Sequence, residues 1–540
     1  MIRKATLALL LLASFGFAEK IPLAEAAQEL AQELRAGGVV TADGSVFSSV
    51  GEFLPTGVPP GQRIFEIGSI SKVFTGLLLT QAVVEEKVTL DTSISSLLGD
   101  LAFQDPRVGE ITLRQLASHT SGLPRLPANL DQGAHQLDPY AHYDRARLRS
   151  ALKTLELDSD PPYASSYSNL GVGLLGDLLS LLYDKSWNEL VREKITGPLK
   201  MPDTVVTLSA DQERRLAQPY FDDEKVRNWN FQALSGAGAL RSTAADLITF
   251  GRALLHPEQT PLESAIKLLV KSRSADGKHG LSLAHYSKHG EQLMGHNGGT
   301  GGYRSLLEIA PATQSIRVIL INNTTLDPSL ISNRSKGEKR IPRKEGNEKG
   351  RTLPPEKIAE YPGVYLIGAG PLKGSKFIVI QRDGELRGKL SGQQFLHFHA
   401  MEKADRFFLN EVKGEFQFDR EEGKITTLTL FQNGQKFRSR RTEEAPPKVE
   451  KGIPISEKEA AEFLGSYQLT PELKFTVTFE SGTLMVRLTG QPSLPVIRKR
   501  DDRFEYQAIE AALQFERSEA GKIKALQLHQ NGNVQRAPKQ

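Results

Sequence analysis

The chain has 540 residues, of which 39% are hydrophobic and 24% charged, an ordinary globular composition with room for three or four domains. Its formal net charge of +4 is small for that length and gives no case for nucleic-acid binding. It has no cysteine, which excludes disulfides, thiolate metal sites, a cysteine nucleophile and a lipid-anchored cysteine.

Met1-Ile-Arg3-Lys4 is a short basic region, Ala5 to Phe17 is apolar, and Gly16-Phe17-Ala18 supplies small residues for cleavage before Glu19. This pattern predicts a signal peptide over residues 1–18, too short to span a bilayer. No later stretch is long and apolar enough to span one, so the mature protein is expected to be secreted or periplasmic, with no membrane span. Leu23 to Leu34 has helical periodicity and ends at Gly37-Gly38. Val39 to Ser48 reads as a hairpin around Asp43-Gly44.

Ile64, Phe65 and Ile67 make an apolar approach to Gly68. From Ser69 the pattern turns helical, with Ile70, Val73, Phe74, Leu77 and Leu78 on one face. Ser69 thus stands at a helix N-terminus, and Lys72 lies one turn later on the same side. Backbone N–H groups there favour an oxyanion, and a desolvated amine can take a serine proton. The S-x-x-K spacing occurs three times, at Ser69, Ser150 and Ser264. The latter two lie in a charged helix and an amphipathic helix; only Ser69 opens a mostly apolar one.

Ile111 to Pro124 predicts a helix capped by a threonine and stopped by a Gly and Pro turn. His119 reads as a loop residue shaping that turn. Tyr167 and Asn169, two apart in a polar loop, form the one Y-x-N of the chain and precede an apolar helix. Leu234 to Leu247 is a glycine-rich turn into a capped helix. His296 to Tyr303 is glycine-rich, and Arg304–Ile309 and Ser315–Ile321 read as strands. That puts His296 on or beside the first of three antiparallel strands. The scattered histidines form no metal-ligand spacing.

Residues 333–353 are basic and poor in apolar side chains, and are expected to be a linker. Beyond them the sequence repeats at an offset of about 98: Tyr361-Pro-Gly-Val-Tyr365 matches Phe463-Leu-Gly-Ser-Tyr467, and Asp405-Arg-Phe matches Asp502-Arg-Phe. Each copy alternates like short strands, so two small β-barrels are expected, over 354–443 and 456–540, joined by a linker over 444–455.

The order Ser69-x-x-Lys72, Tyr167-x-Asn169, His296-x-Gly298 resembles the serine β-lactamase and penicillin-binding protein superfamily, in particular its class C branch. Phe65-Glu-Ile-Gly-Ser-Ile-Ser-Lys, Ser118-His-Thr-Ser-Gly-Leu-Pro and Ser242-Thr-Ala-Ala-Asp-Leu carry the resemblance further, over roughly Leu23 to Asn323. It implies an α+β fold, an antiparallel sheet flanked by helices with an all-helical lobe, over 19–332. It implies that Ser69 is the acylated nucleophile and that Lys72 and Tyr167 share the general-base work, each lowering the other's proton affinity. Asn169 would bind the substrate amide and orient Lys72, and the N–H groups of Ser69 and Gly299 would form the oxyanion hole. His296 stands where the family usually has lysine, a variant found among its esterases and aminopeptidases. With two lipocalin-like barrels the layout resembles the D-aminopeptidases. The expected activity is hydrolysis of small amides or esters, with D-amino-acid peptides favoured, of D-aminopeptidase or D-Ala-D-Ala carboxypeptidase type, and no cofactor. The substrate is a small molecule or peptide, with peptidoglycan fragments among the candidates. The alternatives are a carboxylesterase, a weak class C-like β-lactamase and a non-catalytic penicillin-binding sensor.

Overall fold

The expected N-terminal hairpin, Gly38–Asp43 with Val46–Gly51, joins a sheet whose other strands come from the far end of its domain. The computed structural model describes residues 19–338, except 100, 131, 136, 275, 276 and 278. It also describes 351–540, except 352, 369–374, 383–384, 391–395, 410–413, 433–434, 447–452, 481, 492, 507–510 and 531–532. The expected signal peptide therefore lies outside the described residues, as does most of the expected 333–353 linker. The chain forms two compact units, 1–340 and 341–540.

In the first unit, six antiparallel strands run in the order Val46–Gly51, Gly38–Asp43, Ser315–Ile321, Arg304–Ala310, Glu291–Gly299, Ala284–Lys288. The register pairs Val39 with Ile321 and His296 with Leu307. One sheet face is covered by helices Leu23–Ala31 and Pro328–Ser335, packed on Val39, Leu306 and Ile319. The latter helix runs past the expected domain end at 332. The other face packs against helices Ser71–Val84 and Ala244–Leu255 and a helical lobe that includes Asn169–Tyr183. The Ser71–Val84 helix is buried almost all round, which explains why its apolar residues are not confined to one stripe.

The second unit carries two all-antiparallel, nearly closed barrel sheets. In the first, Gly363–Ile367 pairs with the last strand, Gln435–Arg441. Leu396–His397 and His399–Ala400 flank Phe398 and act as one bent strand. In the second, eight strands run in chain order, and a Tyr467–Lys539 bridge brings the first to the last. The repeat extends to side-chain contacts. The Tyr365 hydroxyl donates to Tyr361 O at 2.7 Å, and the Tyr467 hydroxyl to Phe463 O at 2.6 Å. Arg420 clasps Asp405 as Arg517 clasps Asp502. Phe407, Phe418 and Tyr361 fill one interior, and Phe504, Phe515 and Phe463 the other.

Phe74 stacks on Phe250 at 4.2 Å between ring centres, and both rings are fully buried. Phe74→Ala should destabilise the first unit by about 3–5 kcal/mol, read as a lowered urea midpoint at unchanged slope.

Candidate active site

Strand Ile64–Glu66 pairs with Arg241–Thr243, and Ile67 N donates to Leu240 O at 3.0 Å. The chain then turns at Gly68, whose φ of +49° favours glycine, into a short helical turn, Gly68–Ile70, that continues as the Ser71–Val84 helix. Ser69 therefore stands at the helix mouth, as expected. Lys72 is 0% exposed. Its Nζ lies 3.0 Å from Ser69 Oγ and 2.6 Å from Ala237 O. Burial removes the hydration that an ammonium needs, and the charge of Arg125 adds repulsion, so the proton affinity of Lys72 falls well below that of an ordinary lysine. A neutral amine at this distance can accept the serine proton. The other S-x-x-K pairs differ in burial. Lys153 is exposed, and Lys267 is held protonated by its ion pair with Glu263.

Ser168 caps the Asn169–Tyr183 helix, so Tyr167 sits just outside it on the loop. Its hydroxyl lies beside that of Ser69, and Lys72 Nζ lies 5.0 Å from its ring centre. Burial pushes this phenol up to about 12, so it carries its proton at neutral pH. That corrects the expectation of mutually lowered proton affinities. Lys72 is lowered by burial and Arg125, while Tyr167 is raised and is equipped to donate. The group that fixes Lys72 alongside Ser69 is the carbonyl of Ala237. Asn169 reaches the Tyr140 hydroxyl at 3.3 Å, and its Oδ1 is buried without a hydrogen-bond partner among the described residues.

His119 does more than shape a turn. It adopts φ +60°, accepts from Ser168 N through Nδ1 at 3.2 Å, and accepts from Ser166 N through its carbonyl at 2.8 Å. Its ring packs on Tyr167 with centres 4.6 Å apart. It thus holds the loop that presents Tyr167. A positive-φ histidine is a weak sequence signal, and its contact with a loop almost fifty residues on is invisible without the fold.

His296, Gly298 and Gly299 lie on strand Glu291–Gly299, which passes against the Ser69 turn. A Cβ on Gly298 would fall 2.0 Å from Ile67 O, and one on Gly68 2.7 Å from Gly299 N. Only glycines allow these two backbones to meet, which brings Gly299 beside the Ser69 turn. The His296 ring lies 6.2 Å from that of Tyr167. Its Nδ1 contacts Asn297 O, and since a carbonyl only accepts, Nδ1 carries the proton and Nε2 is free to accept. Burial pulls His296 down to about 4, so the ring is neutral at pH 7. Beside it opens a cavity of about 340 Å³, lined by His119, Tyr167, His279, Tyr286 and Leu306. Among the described residues no group of three or more acids or histidines could hold a metal ion.

The family model for Beta-lactamase matches residues 24–336, more than half of the chain. The chain belongs to the beta-lactamase family. It is a serine hydrolase of that superfamily. Penicillin-binding protein 4 of Amycolatopsis lactamdurans is 27% identical over 284 residues, 48% of this chain and 72% of that protein. The D-alanyl-D-alanine-carboxypeptidase/endopeptidase AmpH of Escherichia coli K12 is 33% identical over 215 residues, 39% of this chain and 54% of its own length. The chain thus spans only about half of the latter. A β-lactamase/D-alanine carboxypeptidase structure from Pseudomonas syringae superposes with a TM-score of 0.51 at 23% identity. It covers 58% of this chain and 97% of its own, a likeness of fold. At His296-Asn-Gly298 this chain presents a neutral ring.

Gly298→Ala should push strand Glu291–Gly299 off Ile67 and misplace Gly299. A drop in kcat/KM of at least about 10²-fold is expected, the scale of losing one oxyanion donor, with circular dichroism preserved. Unchanged kinetics would show that this contact does not set the site.

Proposed function

We propose that the protein is an exported hydrolase that works through an acyl-enzyme on Ser69, with peptides containing D-amino acids as its substrates. The observation that carries this reading is the 3.0 Å contact between Ser69 Oγ and a buried Lys72 amine of lowered proton affinity. Lys72 takes the Ser69 proton as Oγ attacks the scissile carbonyl. The N–H groups of Ser69 and Gly299 receive the developing oxyanion. Tyr167, protonated and beside Ser69, gives its proton to the departing amine and recovers one from Lys72. Asn169 binds the substrate amide. Water then releases the acyl group along the reverse path. The peptide preference is supported by the similarity to AmpH and to penicillin-binding protein 4, and export by the N-terminal pattern of residues 1–18. Among the described residues no helix is long and apolar enough to cross a membrane.

A second reading, a carboxylesterase, is favoured by the neutral His296, because no cation stands in the third motif itself to hold a carboxylate.

Ser69→Ala should abolish hydrolysis of a D-alanyl-D-alanine peptide and of any acyl adduct seen by mass spectrometry; equal activity in variant and wild type would refute the assignment. Tyr167→Phe separates acid from base. As a proton donor to the leaving group, Tyr167 should matter about 10²–10⁴-fold for amides and little for p-nitrophenyl esters, whose leaving group needs no proton. Equal losses on both would return Tyr167 to general-base work.

A further inference from the structure

The third motif lacks a cation, yet a permanent one stands elsewhere at the site. We propose that Arg125 is a specificity-determining residue, and that its guanidinium receives a carboxylate carried by the substrate next to the scissile bond. The inference rests on the peptidase reading above and names its substrate class. The Arg125 guanidinium lies 5.2 Å from the centre of the Tyr167 ring, whose hydroxyl lies beside that of Ser69. Its backbone is fixed by the same turn that carries Asn169. Arg125 O accepts from Asn169 N at 2.9 Å and from Leu170 N at 3.2 Å, and the preceding Pro124 O accepts from Ser168 Oγ at 2.6 Å.

The side chain itself is exposed and makes no ion pair or side-chain hydrogen bond among the described residues. Other arginines of the same lobe are spent on structure. Arg107 pairs with Asp105 and Asp160, and Arg145 and Arg149 both pair with Asp177. Among the described residues, the titratable side chains gathered round Arg125 and Lys72 are Tyr167, Tyr140, His119, His279 and His296, none of them a carboxylate. A guanidinium is always charged, and its planar fork matches a carboxylate in two-pronged fashion, which a neutral His296 cannot do. The same charge acts on the chemistry, since it disfavours the protonated form of Lys72.

The test compares kcat/KM within two matched pairs of substrates. One pair leaves D-alanine or D-alaninamide, and the other has a D-glutamyl or D-glutaminyl acyl residue. Making both pairs also as esters keeps the ratios readable if amides are not turned over. Wild type should prefer the carboxylate in at least one pair by about 10–100-fold, the scale of a charge-assisted hydrogen bond. Arg125→Ala should collapse that ratio, and Arg125→Lys should restore part of it. In Arg125→Ala the acid limb of the kcat/KM profile should also move to higher pH, because Lys72 regains proton affinity. A ratio near one in wild type, or a ratio that survives in Arg125→Ala, would overturn the proposal while leaving Ser69 chemistry intact. Loss of all Ser69-dependent turnover in wild type would instead sink the peptidase and esterase readings together.

Discussion

An ammonium group cannot be sunk into an apolar core without losing its hydration, and everything at this site follows from placing Lys72 there. The helix that holds it is buried almost all round, and the nearest hydrogen-bond partners of the amine are one serine hydroxyl and one backbone carbonyl. Among the described residues no carboxylate stabilises its charged form, so the neutral form is favoured, and a neutral amine beside a hydroxyl is a base. The same low-dielectric surroundings raise Tyr167 and lower His119 and His296. Burial thus sorts the site into one proton acceptor, one proton donor and two neutral rings, with no carboxylate taking part among the described residues.

The sheet supplies the second constraint. Strand Glu291–Gly299 touches the Ser69 turn backbone to backbone. The glycines at 68 and 298 remove the atoms that would prevent it. The strand is itself held by Arg304–Ala310, and Ser305 Oγ donates to Ile67 O at 2.9 Å, tying the sheet to the Ser69 turn.

Much of this was legible in the chain. The Ser69 helix, the Asp43-Gly44 hairpin, the three late strands and the duplicated barrels rest on short-range periodicity and turn chemistry, and they stand where the pattern puts them. What was not legible depends on contacts between distant segments. Ala237, the partner of Lys72, lies in a glycine-rich turn with no polar side chain to mark it. The raised phenol of Tyr167 and the bracing role of His119 depend on how deeply each is buried. Arg125 looks like any surface arginine until the fold sets it over the Tyr167 ring. Sequence singled out side chains that meet at this site, and tertiary packing decides which of them holds a proton.

The most direct test of the central claim is the titration of Lys72 itself, followed by ¹⁵N NMR of the protein carrying labelled lysine, with Lys72→Arg used to assign the signal. The Lys72 amine should be neutral at pH 7 and titrate far below the ordinary lysine value of about 10.4. A Lys72 signal that stays protonated up to that ordinary value would contradict the account, for the buried amine could then not be the base that activates Ser69.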